Sequence, residues 1–397
     1  MSNIEVMRRA VFAFAAALTL VSCGGGSDDN SALQAMVEAR WQEYSATLPV
    51  YAGGLAVYVR SPHGNRFAAT EMEGASPRAH FRVASNTKTF TAASIMKLHQ
   101  EGLLDIDHFI TDAIPGRTEP YVPDAADYAV PYKNEITIRQ LLGHRAGVFD
   151  VTNAPIPDSC GEPYAGMSYD DYVLSLDPDH RFTFDELVGV DAACQISLFE
   201  PGTGYHYSNT GYSILGKIIE RVSGMAYADF VRSELLEPNR LTETSLPYLP
   251  ADRTLPAPFV HGFGLAGGQV SERTEDNMSF NVAEGNIVST PADLTVWVRA
   301  LLRGEAGISK ETVNMMLCEA DCYGLGIMTF GAADRAYGHN GAHGGYLSYM
   351  MYYPEEDTAV VAFTTLLNFD DIATEGPWLQ GVAEEAKAIV EQENAGQ

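Results

Sequence analysis

Residues 82–102 read RVASNTKTFTAASIMKLHQEG and carry Ser-x-x-Lys twice, at Ser85–Lys88 and at Ser94–Lys97. Helical periodicity runs from about Asn86 to Gln100, and Glu101-Gly102 stops it. A helix advances about 100° per residue, so Ser94 lies nearly opposite Ser85. Only one face of a helix can line a cleft. Ser94 is flanked by Ala92, Ala93, Ile95 and Met96 in mid-helix, where its N–H bonds to the preceding turn. Ser85 sits at the helix start, where N–H groups lack intrahelical partners and the dipole is positive. A nucleophile placed there can attack a carbonyl while its own N–H receives the oxygen that becomes anionic. Lys88 projects from the same face one turn on. A helix-capping serine is the plainer use of such a position, so the rest of the chain has to decide.

Around this stretch the chain reads as strands and helices at both ends with a different middle. GGLAVYVR (53–60) and RFAATEMEG (66–74) are strand-like, joined by the turn SPHGN, and ALQAMVEARWQEYSATL (32–48) has a helical period. After 300, GYLSYMMYYP (345–354) and TAVVAFTTLL (358–367) read as adjacent strands about a Glu355-Glu356-Asp357 turn. WLQGVAEEAKAIVEQ (378–392) reads as a closing amphipathic helix. Between them, TIRQLLGHRAG (137–147) and GYSILGKIIERVSG (211–224) are helical pieces among loops rich in Pro, Gly and Asp. The pattern predicts one α/β (α+β) domain over 35–392. Its α/β part comes from 35–100 and 300–392, its mostly helical insertion from 101–299, and a ligand cleft falls between the two. No internal repeat is visible.

The composition excludes several functions. The 397 residues are 46% hydrophobic, which suits a globular chain with a substantial core. A formal net charge of −27 without a Lys/Arg cluster argues against nucleic acid as partner. The plain reading is a soluble surface kept apart by self-repulsion. At the N-terminus, MRRAVFAFAAALTLVSC (7–23) has Arg8 and Arg9, an apolar run too short to span a membrane comfortably, and a small residue before Cys23. Leu20-Val21-Ser22-Cys23 resembles a bacterial lipobox. That implies a signal peptide over 1–22, lipidation of Cys23 and a flexible tether over 23–34. Gly24 after the cysteine resembles sorting to the outer membrane, so the chain is expected to be exported and lipid-anchored facing the periplasm. Cys160, Cys194, Cys318 and Cys322 remain, an even number that suggests disulfides in an exported protein. Proximity favours Cys160–Cys194 and Cys318–Cys322 out of three pairings. Cys318-x-x-x-Cys322 has no His pair at zinc-ligand spacing, and DPDHRFTFDE (177–186) lacks the glycine and ligand spacing of a calcium loop, so no metal is expected.

A Ser–Lys pair needs more parts. Serine is a poor nucleophile until something takes its proton, and lysine is a poor base unless desolvation or a nearby cation lowers its pKa. A phenol beside the amine can relay that proton. EPGTGYHYSNTGY (200–212) supplies Tyr207-Ser208-Asn209 in a loop entering a helix, and YGHNGAHGGYLSYMMYYP (337–354) supplies His339-Asn340-Gly341 at a strand start. Gly341 reads as letting substrate backbone pass close to that strand. With these residues the chain resembles the serine β-lactamase-like, penicillin-binding family of soluble DD-carboxypeptidases, class C β-lactamases and related esterases and D-aminopeptidases. Ser85-x-x-Lys88, Tyr207-x-Asn209 and His339-x-Gly341 match its three ordered motifs. LLGHRAGVFD (141–150) and NIVSTPADLTVWVRALLRG (286–304) match as well, and the resemblance covers roughly 35–390.

The resemblance implies an antiparallel sheet flanked by helices and a set of roles. Ser85 would be acylated, with Lys88 and Tyr207 acting together as the base. Which of them holds the proton at rest is open. Tyr207 would also return a proton to the leaving group. Asn209 would hold Lys88 and the substrate amide, and His339 would add a positive or hydrogen-bonding feature toward an incoming carboxylate. The N–H groups of Ser85 and Ala342 would form the oxyanion hole, Asn340 and Thr152 would border the substrate, and no cofactor is needed. His144 in LLGHRAG reads as structural, fixing the turn after its helix. The activity implied first is that of a D-alanyl-D-alanine carboxypeptidase, with β-lactamase, esterase, D-aminopeptidase and a non-turnover penicillin-binding module as alternatives. The substrate would be a peptide, ester or β-lactam. Two departures stand out. Met328 occupies the place where the carboxypeptidase branch carries an Arg for the substrate carboxylate, and Arg335 lies four residues before His339. Asn340 and Ala342 also stand where that branch has hydroxyl residues.

Overall fold

The structure is a computed structural model and describes residues 30–319, 322–331 and 334–395. The expected leader and Cys23 lie outside the described residues. Helix α1 (Ser31–Ser45) starts inside the stretch expected as tether, because Leu33 and Val37 are already core residues. A hairpin follows, β1 (Leu55–Ser61) and β2 (Gly64–Thr70), closed by the two-residue turn Pro62-His63 with Ser61 opposite Gly64. The short strand β3 (Phe81–Arg82) leads into α2 (Thr87–Gln100). The middle holds α3 (Ile138–Leu142), α4 (Tyr169–Leu176), α5 (Phe184–Cys194), α6 (Asn209–Ser223) and α7 (Tyr227–Val231). Then come β4 (Phe263–Ala266), β5 (Gln269–Glu272), β6 (Val288–Ser289), α8 (Pro291–Arg303) and α9 (Lys310–Met316). The chain closes with β7 (Cys322–Tyr323), β8 (Met328–Phe330), β9 (Ala336–His343), β10 (Tyr346–Tyr353), β11 (Thr358–Thr364), β12 (Leu366–Asn368) and α10 (Ile372–Ala395).

Both ends of the chain build one antiparallel sheet in the order β2-β1-β11-β10-β9-β8-β7. Its central strands are covered on both faces, which is why β10 and β11 are near-continuous hydrophobic runs rather than alternating ones. One face packs Val57, Val59, Met351 and Val360 against Trp41 of α1 and Val382 of α10. The other packs Ala56, Met350 and Val361 into a core shared with α2, α6 and α8. Phe90 of α2 stacks on Trp297 of α8 with ring centroids 4.0 Å apart, and the Trp297 indole N–H donates to Thr89 at 2.8 Å. Losing an aromatic side chain at such a contact costs about 3–5 kcal/mol. The pair pins α2, and with it the serine at its start, to the sheet.

Several expected boundaries moved. Helix α3 is only Ile138–Leu142, not 137–147: a capping box between Thr137 and Gln140 starts it, and Gly143 followed by His144 at φ 56° ends it. Helix α10 begins at Ile372, before the expected 378. The helical middle also contributes β4, which pairs with β5 and, in parallel, with β12. Helix α8 straddles the expected part boundary near 300, because Trp297 and Val298 pack with the sheet core. Cys160–Cys194 and Cys318–Cys322 are both disulfide-bonded, the pairing proximity favours. Among the described residues no helix is long and apolar enough to cross a membrane.

Candidate active site

The turn that carries Ser85 is held under strain and from two sides. Ala84 has φ 50°, a left-handed conformation that costs a non-glycine residue about 1–3 kcal/mol. Ser85 follows in a single 3-10 turn and stays partly exposed, while Asn86 and Lys88 are fully buried. The Asn86 amide donates to the Val83 carbonyl at 2.8 Å and to Ser348 Oγ on β10 at 2.9 Å. On the other side, a β-carbon at Gly341 would stand 2.2 Å from the Val83 oxygen. Gly341 therefore serves the approach of β9 to the serine turn, not room for substrate as expected. Strand β8 pairs with β9 only as far as Gly338, so the edge beyond, including the exposed Ala342, is left uncovered by it.

Lys88 reaches back one turn, and its Nζ lies 3.3 Å from Ser85 Oγ. It also donates to Asn209 Oδ1 at 2.7 Å and to the Glu284 carbonyl at 3.0 Å. Burial disfavours its charge and brings its pKa down to about 7, against partial support from the Glu284 and Asp150 carboxylates. Tyr207 lies across the cleft, hydrogen-bonded to Ser85, with its ring centroid 4.7 Å from the lysine nitrogen. Burial moves this phenol the opposite way, well above its ordinary value. Near neutral pH the amine is thus available as a base, and the phenol keeps its proton.

Asn209 is aimed by a chain of donors. Its amide N–H donates to Thr152 Oγ1 at 3.1 Å, and Thr152 Oγ1 donates to Asp150 at 3.1 Å. The Asp150 carboxylate also receives the backbone N–H groups of Thr152, Asn153 and Asn209. Thr152 is buried, so it positions Asn209 rather than bordering substrate as expected. His144 caps the base of the tyrosine loop: its Nδ1 accepts from the Ser208 N–H at 3.1 Å, and its ring lies 4.3 Å from that of Tyr207.

His339 departs from its expected role. It is fully buried, and its Nδ1 faces the Asn340 carbonyl at 2.6 Å. That nitrogen must carry the proton, so Nε2 accepts from Tyr323 OH at 3.0 Å. Burial lowers its pKa to about 3. The ring is neutral with both nitrogens engaged, so it offers no positive charge to a carboxylate. Asn340, next along β9, faces away from this ring and is hydrogen-bonded to Tyr349. Met328 lies on β8 opposite Gly338, and Arg335 is exposed.

Two residues escaped the sequence reading. Tyr323 precedes Gly324-Leu325-Gly326 and touches both Tyr207, at a centroid distance of 5.9 Å, and His339. Its proximity to that glycine turn was the available signal. Glu284 was readable only as an acid in the otherwise uncharged run FNVAEGN. Among the described residues no group of three or more His, Cys, Asp or Glu could hold a metal ion.

A family model described as Beta-lactamase matches residues 33–384. The chain belongs to the beta-lactamase family. The family is one of serine hydrolases and includes penicillin-binding proteins. A penicillin-binding protein of Bacillus subtilis is 31% identical over 205 residues, 51% of this chain and 38% of that protein. Protein flp of Staphylococcus aureus is 25% identical over 305 residues, 74% of this chain and 54% of its own length. The chain thus spans about half or less of these curated relatives. A D-stereospecific amidohydrolase from Streptomyces sp. superposes with TM-score 0.69 at 25% identity, covering 85% of this chain and 94% of its own. The D-amino acid amidase of Ochrobactrum anthropi SV3 complexed with D-phenylalanine gives TM-score 0.71 at 23% identity, covering 94% and 100%, a likeness of fold.

Proposed function

We propose that this beta-lactamase-family chain is a serine acyl-transfer hydrolase working through a Ser85 acyl-enzyme. The observation that carries the reading is the fully buried Lys88, within 3.3 Å of Ser85 Oγ and tuned toward neutrality. Ser85 Oγ attacks the carbonyl carbon and its proton passes to Lys88. The oxyanion forms against the N–H groups of Ser85 and Ala342, a type of contact worth about two to three powers of ten in rate. As the bond to the leaving group breaks, Tyr207 gives it a proton and regains one from Lys88. Water then repeats the sequence on the ester of Ser85.

The substrate class we propose is an amide or ester of a D-amino acid whose leaving group carries no carboxylate. Neither His339, which is neutral, nor Met328 supplies a cation for a leaving-group carboxylate. The likeness to the D-stereospecific amidohydrolase supports the same choice. D-Alanyl-D-alanine carboxypeptidase activity is the second reading, since the Ser85, Lys88 and Tyr207 arrangement serves both. Rates on a D-amino acid amide, a short-chain ester, a D-Ala-D-Ala peptide and a chromogenic cephalosporin separate them. Amide and ester turnover should exceed peptide turnover; the reverse order would reinstate the carboxypeptidase. We further propose export and anchoring through Cys23, in keeping with two disulfides that suit an oxidising compartment. A Cys23→Ala chain that stays in the membrane fraction would sink the anchor.

A further inference from the structure

A buried acid lies behind the catalytic lysine, and the acyl-transfer scheme above does not use it. Glu284 is 1% exposed. Its Oε1 accepts from Ser213 Oγ at 3.2 Å, while its Oε2 is buried without a hydrogen-bond partner. Ser213 stands one turn after Asn209 on α6, so neighbouring positions on one helix face hold the lysine and the acid. The Glu284 backbone oxygen is itself a Lys88 acceptor. The preceding Ala283 has φ 75°, and its carbonyl accepts from Thr91 on α2. A strained turn is therefore stitched to the lysine's own helix and brings the carboxyl in behind it. An unpaired buried carboxyl oxygen is costly to keep.

We infer that Glu284 is a positioning residue for the proton of acylation: its carboxylate, ionised throughout, is the counter-charge that meets the Lys88 ammonium when the Ser85 proton arrives. The inference rests on the Ser85 acyl-transfer reading. When Ser85 Oγ bonds to the acyl carbon, its proton converts the Lys88 amine to ammonium inside a water-poor site. A carboxylate nearby stabilises that ammonium; burial pushes the Glu284 carboxyl well up, while Lys88 and the Ser213 hydroxyl pull it down, so the two titrate as a unit. The other groups facing them are Asp150 from the loop after α3, Tyr207 and Tyr212 from the loop and start of α6, and Tyr227 from α7. His144 and His339 complete the set. Both histidines are neutral near pH 7 and the tyrosines stay protonated, while the Asp150 carboxylate accepts from Thr152, Asn153 and Asn209. Glu284 thus gives the larger favourable field at the lysine and Asp150 the smaller.

The test is the pH profile of kcat/KM on a chromogenic ester. In Glu284→Gln the ammonium loses its partner and Lys88 becomes harder to protonate. The acid limb should move to lower pH by about one unit, and the plateau should fall roughly tenfold because the base is weaker. Glu284→Asp, which keeps the charge, should hold the limb within a few tenths of a unit of the parent. Ser213→Ala, which weakens the carboxylate without deleting it, should give a smaller downward move and stands in should the glutamine variant fail to fold. A limb that stays in place in Glu284→Gln or, failing that, in Ser213→Ala overturns the inference. Loss of the Ser85 requirement, seen as an active Ser85→Ala chain, is a separate failure that removes the reading beneath it.

Discussion

The turn that enters α2 and the middle of α2 begin the same four-residue spacing, and the two copies end in opposite states. Ser85 is partly exposed at a strained turn, whereas Ser94 is fully buried and its hydroxyl donates to the Phe90 carbonyl at 2.9 Å. Lys88 is fully buried and its pKa falls to about 7. Lys97 pairs with Glu101 at 2.9 Å and Glu234 at 3.5 Å, and the Glu101 hydrogen bond raises its pKa. One lysine is made a base and the other is kept a cation by surroundings that come from distant parts of the chain. The motif supplies the reach between hydroxyl and amine, and the fold supplies the chemistry.

The sharpest way to break this contrast is to exchange the serines' fates. Ser85→Ala should lower kcat/KM by at least about a thousandfold, the scale of losing an activated nucleophile. Ser94→Ala should leave kcat/KM within about twofold. It removes one intrahelical side-chain bond, so it should change stability by no more than about 1 kcal/mol. Comparable loss in both variants would mean that the copies cannot be told apart by position.

The lysines give the next largest contrast, and it separates activity from stability. Lys88 takes up protons in the unfolded chain at pH values where the folded chain refuses them. Between about pH 7 and pH 10.5 the unfolded state binds more protons, so Lys88 contributes stability that rises with pH across that window. Below about 7 both states are protonated and the burial penalty is present in full. Lys88→Met should therefore abolish turnover yet raise Tm at pH 7 and flatten the parent's rise toward pH 10. Lys97→Met loses an ion pair at the surface, which is worth less than about 1 kcal/mol, and should leave the rate intact. In the parent, kcat/KM should climb through a midpoint near pH 7 as Lys88 gives up its proton. A Lys88→Met chain less stable than the parent at pH 7 would contradict the account of burial.

What could be read in advance follows the same division. That Ser85, Lys88, Tyr207 and Asn209 come together was legible from local patterns, a helix start and a Gly-rich loop entering α6, whereas His339, expected at a strand start, stands inside β9. The β10–β11 hairpin was legible because strands covered on both faces are continuously apolar. States set by remote neighbours were not. The charge of Lys88 depends on Asn209 and Glu284, more than a hundred residues away. The neutrality of His339 depends on Tyr323, which sequence places only beside a glycine turn. Thr152 was read as a substrate contact because its loop borders the cleft, but its hydroxyl turns inward to Asn209. Whether a side chain faces the ligand or its neighbour is decided by packing, which spacing does not encode.

The smallest expected effect sits at that least legible point. Tyr323→Phe keeps the ring that packs on Tyr207 and His144 and deletes only the hydroxyl that donates to His339 Nε2. A buried acceptor left unpaired costs about 1–3 kcal/mol, so Tm should fall by several degrees. The rate should fall less, by about threefold to tenfold, because Tyr323 and His339 pack beside Tyr207 without exchanging its proton. Deprived of its donor, the imidazole can turn so that an N–H faces the cleft, and substrates bearing a carboxylate should then lose less rate than neutral ones. If instead all substrates slow equally, the hydroxyl acts only on the packing of Tyr207. The contrast between the two copies on α2 would then owe nothing to the charge state of β9.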